Sequence, residues 1–463
     1  MAQPMWNGFP GSLFLVLMIV VAAAGAEETP AAATDQKADP DRGYRILREQ
    51  PFLPADFSQQ TFDQLWAVWP EPLRSQARNA SAAERRRLAF SRYGLMEPPD
   101  SPGSGPALGY VPTEQGWVMN CLACHGGKVA GEVMAGLPNS HFAMQTLVED
   151  VRKAKLLRLK PLSHLDVAAA TIPLGTTNGT TNSVIFGVVL GALRRPDMSV
   201  DRNRQVPDLK HHDMDAPPFW NVRKKSRLYI DGFAPKTHRP LVQFMLLPRN
   251  DRKTVLGWED EFRDILAWIE SVQPPEYPGP VDGELADRGR SVFEKNCAEC
   301  HGTYGADESY PERMIPIDVI GTDPLRLTAL SPAHRQWMKD GWMSRFGEDD
   351  VWTHPEGYIA PPLDGIWASA PYFHNGSVPT LWHVLNSDHR PVVWKRTEDG
   401  YDHDRLGLEV AEFESVPPDV VRSDERRRYF DSRQPGKSAA GHTFPDRLAD
   451  EEKRALLEYL KTL

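Results

Sequence analysis

Apolar positions recur at helical spacing in two widely separated stretches of this chain. Over Glu261–Val272, Phe262, Ile265, Leu266 and Ile269 fall on one face of a helix. Over Asp450–Leu463 the same stripe is made by Leu456, Leu457, Leu460 and Leu463. Gly283–Asn296 also reads as a helix, and Thr61–Trp66 as a shorter helical patch. Between the first two helices lies Gln273-Pro274-Pro275-Glu276-Tyr277-Pro278-Gly279-Pro280, a stretch that no helix crosses. Gly103–Pro106 reads as a second linker. At the start, Leu13–Ala26 is an apolar run ending in Ala24-Gly25-Ala26, the pattern of a cleaved export signal, with an uncleaved N-terminal anchor as the alternative. Glu27–Arg42 follows, rich in Ala, Thr, Asp and Pro, and reads as a leader without a core.

Length and composition narrow the class. A chain of 463 residues has room for two or three domains with real cores. Its formal net charge is −10, and no basic block is long enough for a nucleic-acid footprint. Beyond the N-terminal run no segment is long and apolar enough to span a bilayer, so no membrane span is expected in the mature chain. The 41 prolines, 34 glycines and 13 tryptophans predict long irregular loops around large buried groups.

The cysteines name those groups. Cys121-Leu122-Ala123-Cys124-His125 and Cys297-Ala298-Glu299-Cys300-His301 are two copies of one pentapeptide, and they use all four cysteines of the chain. C-x-x-C-H is the attachment site of c-type haem. The two thiols add across the two porphyrin vinyl groups, and the adjacent imidazole turns onto the iron. A zinc site built from the four thiols would leave both histidines unexplained. Two covalently bound haem c groups are therefore expected, on Cys121 and Cys124 and on Cys297 and Cys300. His125 and His301 are the expected proximal ligands. No cysteine is left for a disulfide.

Each pentapeptide is followed, at the end of its segment, by one of the two amphipathic helices. That faint duplication predicts a mainly α protein of two cytochrome c-like haem domains with long irregular loops and insertions. The expected boundaries are a signal peptide over 1–26, a leader and N-terminal extension over 27–105, a first haem domain over 106–280 and a second over 281–463.

The segment Ala360-Pro361-Pro362-Leu363-Asp364-Gly365-Ile366-Trp367-Ala368-Ser369-Ala370-Pro371-Tyr372-Phe373-His374-Asn375-Gly376-Ser377-Val378-Pro379-Thr380-Leu381 resembles the signature of the di-haem cytochrome c peroxidase and MauG superfamily. Its wording is most similar to that of the di-haem rubber (latex) oxygenases. Pro217-Pro218-Phe219-Trp220-Asn221-Val222-Arg223-Lys224-Lys225, Gly321-Thr322-Asp323-Pro324 and Gly441-His442-Thr443-Phe444 point to the same branch. The resemblance covers about residues 107 to 463, and this chain looks shorter than a rubber oxygenase.

The resemblance implies roles for particular side chains. His442 would be the distal ligand of the second haem, with His374 as runner-up. Tyr372 would ligate iron, carry an oxidising equivalent or pack on the porphyrin. Met338 and Met343 are further ligand candidates. His141 stands sixteen residues after His125, near the place of the distal histidine of the peroxidases. The rubber oxygenases instead resemble an arrangement with an open iron shielded by a phenylalanine. Phe233 is the nearest position here, and Phe219 would wall the pocket. Trp220 would lie between the haems and carry electrons or a radical, or pack as core. Arg223-Lys224-Lys225-Ser226-Arg227 would hold haem propionates or form a solvated basic face. Calcium between the domains occurs in relatives, and no Asp/Glu-rich loop of this chain decides for it.

The expected protein is a periplasmic or secreted haem-dependent oxidoreductase. One haem would react with dioxygen or hydrogen peroxide, and the other would be a low-spin relay. Three activities fit the sequence: oxygenase-like cleavage of an apolar unsaturated substrate, reduction of peroxide with electrons from a small donor protein, and electron transfer without catalysis. A protein-modifying role like that of MauG is a further expectation with no partner visible in the sequence.

Overall fold

In the computed structural model, residues 37–204 and 210–463 are described. The signal segment over 1–26 and the first part of the leader lie outside the described residues. The architecture is organised by two helix crossings, one for each pentapeptide.

The first crossing joins Pro40–Glu49 to Glu259–Ser271. Pro40 occupies the first turn, where its missing N–H costs nothing, and the Asp39 carboxylate accepts from the N–H groups of Asp41 and Arg42. Asp39 N–H donates to Asp264 Oδ1 at 2.8 Å, and Arg42 pairs with Asp264 at 3.1 Å. At the crossing point a Cβ on Gly43 would stand 2.0 Å from the carbonyl oxygen of Asp264, so only glycine fits. The second crossing joins Gly283–Asn296 to Asp450–Leu460. There a Cβ on Gly289 would stand 2.0 Å from the carbonyl oxygen of Ala455. The two crossings share a short motif, Asp41-Arg42-Gly43 and Asp287-Arg288-Gly289.

This pairing bears on the expected boundary at 105/106. Pro40–Glu49 falls within the expected leader and extension, yet it packs on the helix that follows the first pentapeptide. The intervening chain builds an apolar core of its own, in which Phe62 stacks on Trp117 at 4.5 Å and Ala154 of the Met144–Leu156 helix is fully buried. A larger core runs from Ile46 through Trp220 and Phe262 to Trp367, and a third lies around Phe293, Leu381 and Leu456. The large core also takes in Met338 and Met343, whose side chains are buried beside Trp342. Residues 35–463 cluster as one compact unit.

Helices predominate, and the strands are mostly short pairs. The exception is an antiparallel sheet in the order Gly407–Phe413, Val393–Asp402, Tyr429–Asp431. It is inserted between the 360–381 signature and the closing helix, with Trp394 stacked flat on Phe430. Among the described residues no helix is long and apolar enough to cross a membrane.

Candidate haem sites

The helix Gly283–Asn296 runs into the second pentapeptide, and Ala298–His301 forms one further turn. The N–H groups of Cys300 and His301 both return to the carbonyl of Cys297, at 3.1 and 3.0 Å. This turn sets the two thiols and the imidazole toward one side. Gly302, at φ +84°, ends it. Burial pushes the Cys297 thiol up to about 11.

His301 Nδ1–H donates to the carbonyl of Pro361 at 2.8 Å. That bond settles the tautomer and leaves the Nε2 lone pair for a metal. The ring facing it belongs to His442, with ring centres 6.2 Å apart and planes at 65°. An iron between two imidazoles needs two metal–nitrogen bonds of about 2 Å, and each ring centre lies ~1 Å behind its nitrogen. Those lengths add to about the separation observed. The two rings are spaced so that His301 and His442 would hold the iron of a haem carried by Cys297 and Cys300. Burial lowers the His442 pKa to about 3, so the ring is neutral, as a ligand must be.

His442 is held by main-chain geometry. It has φ +46°, rare for a residue with a Cβ, and Gly441 before it has φ +80°. A Cβ on Gly441 would stand 2.3 Å from the carbonyl carbon of Gly321, so the two loops touch backbone to backbone. His442 N–H donates to Ile320 O at 2.7 Å, and Ser438 N–H to Asp323 Oδ2 at 3.0 Å. Arg390 clamps the same loop through the carbonyls of Ala439 at 2.6 Å and Gly441 at 2.7 Å. Phe373 and Phe444 flank the ring at 6.1 and 5.5 Å.

The first pentapeptide is built differently and ends alike. Cys121–Ala123 is a single 3-10 turn, capped by the Asn120 side chain on Leu122 N–H. His125 N–H returns to Cys121 O at 3.0 Å. Burial pushes the thiols of Cys121 and Cys124 up to about 11 and about 12, and lowers His125 to about 4. His125 Nδ1–H donates to the carbonyl of Pro217 at 3.0 Å. Phe219 stacks on the His125 ring at 4.2 Å and 21°. Phe219 thus lines the proximal imidazole.

The two acceptor carbonyls sit in matching tripeptides, Ala216-Pro217-Pro218 and Ala360-Pro361-Pro362. A residue before proline is driven out of the helical region, which keeps its carbonyl clear of helix hydrogen bonding. Sequence reasoning missed Pro217 and Pro361 as the residues that orient the histidines. The repeated Ala-Pro-Pro was the available signal.

Trp220 links the segments that follow the two tripeptides. It is fully buried, and its Nε1–H donates to Asp364 O at 2.7 Å. The Asp364 carboxylate takes Arg223 at 3.1 Å and Lys224 at 2.8 Å, and Arg227 pairs with Asp350. Arg223, Lys224 and Arg227, read as propionate holders or as a solvated basic face, are thus engaged by carboxylates of the chain. Lys225 makes no such pair among the described residues, and burial lowers its pKa.

The remaining candidates disperse. Phe233 stacks on Tyr229 at 4.9 Å, with the guanidinium groups of Arg326 and Arg335 each 5.8 Å from its ring. Tyr372 is buried with its hydroxyl 3.1 Å from Ile366 O and 3.3 Å from Leu406 O, so its proton is committed to the backbone. His374 packs on Tyr358 at 4.6 Å, and burial lowers its pKa to about 3. His141 lines a small cavity with Lys128, Ser140, Arg396 and Tyr401. For calcium, no group of three or more His, Cys, Asp or Glu side chains is placed to hold a metal ion among the described residues.

A family model described as RoxA-like, cytochrome c-like matches residues 357–395, which include Pro361 and the signature around Tyr372. The uncharacterized protein y4iM of Sinorhizobium fredii (strain NBRC 101917 / NGR234) is 30% identical over 318 residues, covering 59% of this chain and 70% of the relative. The uncharacterized protein y4iJ of the same organism is 29% identical over 258 residues, covering 42% and 41%. The chain belongs to the family of y4iM and carries a RoxA-like cytochrome c region, which implies covalently bound haem c and haem-dependent redox chemistry.

Proposed function

We propose that this chain is an exported di-haem c oxidoreductase. Its reactive haem is carried by Cys121, Cys124 and His125, and its low-spin relay haem lies between His301 and His442. The single observation that carries the reading is the 6.2 Å separation of the His301 and His442 rings. A site with two strong protein ligands passes electrons, and a site with one is free to bind an oxidant. Haem, when bound, supplies the one-electron chemistry and the iron that takes dioxygen or peroxide. The chain contributes orientation: Pro217 and Pro361 hold each proximal ring, Phe219 packs on the first, and Trp220 spans the gap. The RoxA-like match favours dioxygen as oxidant and an apolar unsaturated substrate, as the likeness to rubber oxygenases implies.

Intact mass and a haem-stained denaturing gel test the haem count. Wild type should carry two covalent haems, and Cys297→Ser/Cys300→Ser should carry one. Two haems remaining in that variant would overturn the assignment of the second motif. Optical and EPR spectra of the ferric protein should show one low-spin and one high-spin centre. Dioxygen added after reduction should perturb only the high-spin centre. Two low-spin centres inert to dioxygen and peroxide would make the protein an electron carrier. Turnover with peroxide and a small donor protein, and none with dioxygen, would make it a peroxidase.

A further inference from the structure

Leu156, Leu157, Leu159 and Leu162 all face solvent, Leu157 at 73% exposure and Leu159 at 96%. Elsewhere among the described residues, large exposed apolar side chains stand singly along the chain. Single ones are ordinary on a protein surface, and a cluster within one short turn is not. The four leucines lie where the helix Met144–Leu156 ends and the chain turns toward the helix His164–Thr171. The N–H groups of Leu159 and Lys160 return to the carbonyls of Leu156 and Lys155, at 3.2 and 2.9 Å. This closure sets Leu159 in the left-handed region, at φ +52°, where glycine is the usual and least strained residue. Leu159 therefore serves neither its backbone conformation nor a core.

The same stretch is basic. Residues 151–165 hold Arg152, Lys153, Lys155, Arg158 and Lys160 and no acidic residue, in a chain of net charge −10. The flanking carboxylates are engaged: Glu149 with Arg427, Asp150 with Arg92, and Asp166 with Lys155. Arg158 donates to Ala154 O at 3.1 Å and Lys160 to Gln60 Oε1 at 2.7 Å, and neither meets a carboxylate among the described residues. Asp166 is buried and also accepts from the N–H of Ser163 at 2.7 Å and its hydroxyl at 2.9 Å. One carboxylate thus holds both ends of the loop, through Lys155 and Ser163. Leucines and uncompensated cations are presented together on a braced turn.

We infer that the loop Leu156–Leu162 is a docking surface for a bilayer that contains anionic phospholipid. The leucines enter the acyl boundary, and Arg158 and Lys160 meet the headgroups. Apolar insertion and attraction to anionic lipid reinforce one another in peripheral binding of this kind. A loop already braced loses little freedom when it docks. Four leucines on one turn are small for a stable protein interface, which buries about 800 Å² on each partner. A bilayer needs no matching pocket. The acidic remainder of the chain opposes this weakly, because charges more than about 8 Å away are screened at physiological salt. The inference is independent of the haem reading above.

Flotation of the purified holoprotein with two sets of vesicles tests it, one of phosphatidylcholine alone and one with an equal share of phosphatidylglycerol. Wild type should float with the mixed vesicles, and binding should fall several-fold as salt rises from about 0.05 to about 0.5 M. Leu157→Ser/Leu159→Ser and Arg158→Gln/Lys160→Gln should each weaken binding about tenfold or more. Leu159→Gly should also bind less while its Tm equals or exceeds that of wild type, since glycine suits the backbone there. That combination separates a docking role from a folding role. Wild type that does not float overturns the proposal, and so does flotation that both double variants keep, which would place the contact in another segment. Equal binding to both vesicle sets at all salt concentrations overturns the choice of anionic lipid. Capture on immobilised polyglutamate without flotation would make the loop a docking surface for an acidic protein and overturn the bilayer.

Discussion

The indole N–H of Trp220 donates to the main-chain oxygen of Asp364 at 2.7 Å, across 144 residues of sequence. Trp220 follows Phe219, which stacks on His125. Asp364 lies three residues after Pro361, whose carbonyl holds His301. One hydrogen bond therefore ties the support of the first proximal histidine to the support of the second. Trp220→Phe keeps most of the apolar volume and removes the donor and the redox-active indole. We expect intact haem content, slower turnover and slower electron exchange between the haems. Stopped-flow reduction followed at each haem is the measurement. Wild-type rates throughout would reduce Trp220 to core packing.

His442→Ala should convert the second haem from low to high spin, or make it take up external imidazole, with the first haem unaltered. Gly441→Ala should weaken the same ligand without touching the ring, since its Cβ would meet Gly321 and its φ is +80°. EPR of the ferric forms decides both. A persistent low-spin signal in His442→Ala would reject this ligand.

Gly289→Ala should open the crossing between Gly283–Asn296 and Asp450–Leu460, because the new methyl would stand 2.0 Å from Ala455 O. Overpacking of this kind costs about 1–3 kcal/mol. The expected result is a lower denaturant midpoint at an unchanged slope. A midpoint equal to wild type would mean that the helices part without loss.

Asp56 gives a pH dependence. Its carboxyl is buried, and burial raises its pKa from 3.8 to about 7 against the pull of Met119 N–H and Lys155. Its folded pKa lies above its unfolded one, so the fold favours the protonated acid. That contribution is complete below the unfolded value and is lost as pH rises toward 7, by up to about 1.4 kcal/mol per pH unit. Asn mimics the protonated acid. Asp56→Asn should therefore gain Tm over wild type at pH 8 relative to pH 5. A Tm difference that does not change with pH would place the Asp56 pKa near its ordinary value.

Much of the local structure was legible in the chain itself. The stripe of Phe262, Ile265 and Ile269 predicted a helix over Glu261–Val272, and the helix spans Glu259–Ser271. The stripe ending at Leu463 predicted the closing helix, which spans Asp450–Leu460. Helical period and helix-breaking prolines are properties of neighbouring residues, so a linear pattern reports them. The C-x-x-C-H spacing is local for the same reason, since one turn sets two thiols and an imidazole toward one porphyrin. The sequence also singled out His442 beside a glycine.

Only the tertiary structure decided which groups meet. That Pro217 and Pro361 orient His125 and His301 depends on carbonyls arriving from 92 and 60 residues away. Arg223 and Lys224 read as propionate holders or as a solvated basic face, and the chain path brings the Asp364 carboxylate to them. Tyr372 read as a ligand, a carrier of an oxidising equivalent or a ring packed on the porphyrin, and the fold sets its hydroxyl beside Ile366 O and Leu406 O. Composition and periodicity state what each residue is able to bond. The partner, the exclusion of water and the distance between rings such as those of His301 and His442 are set by where distant segments cross.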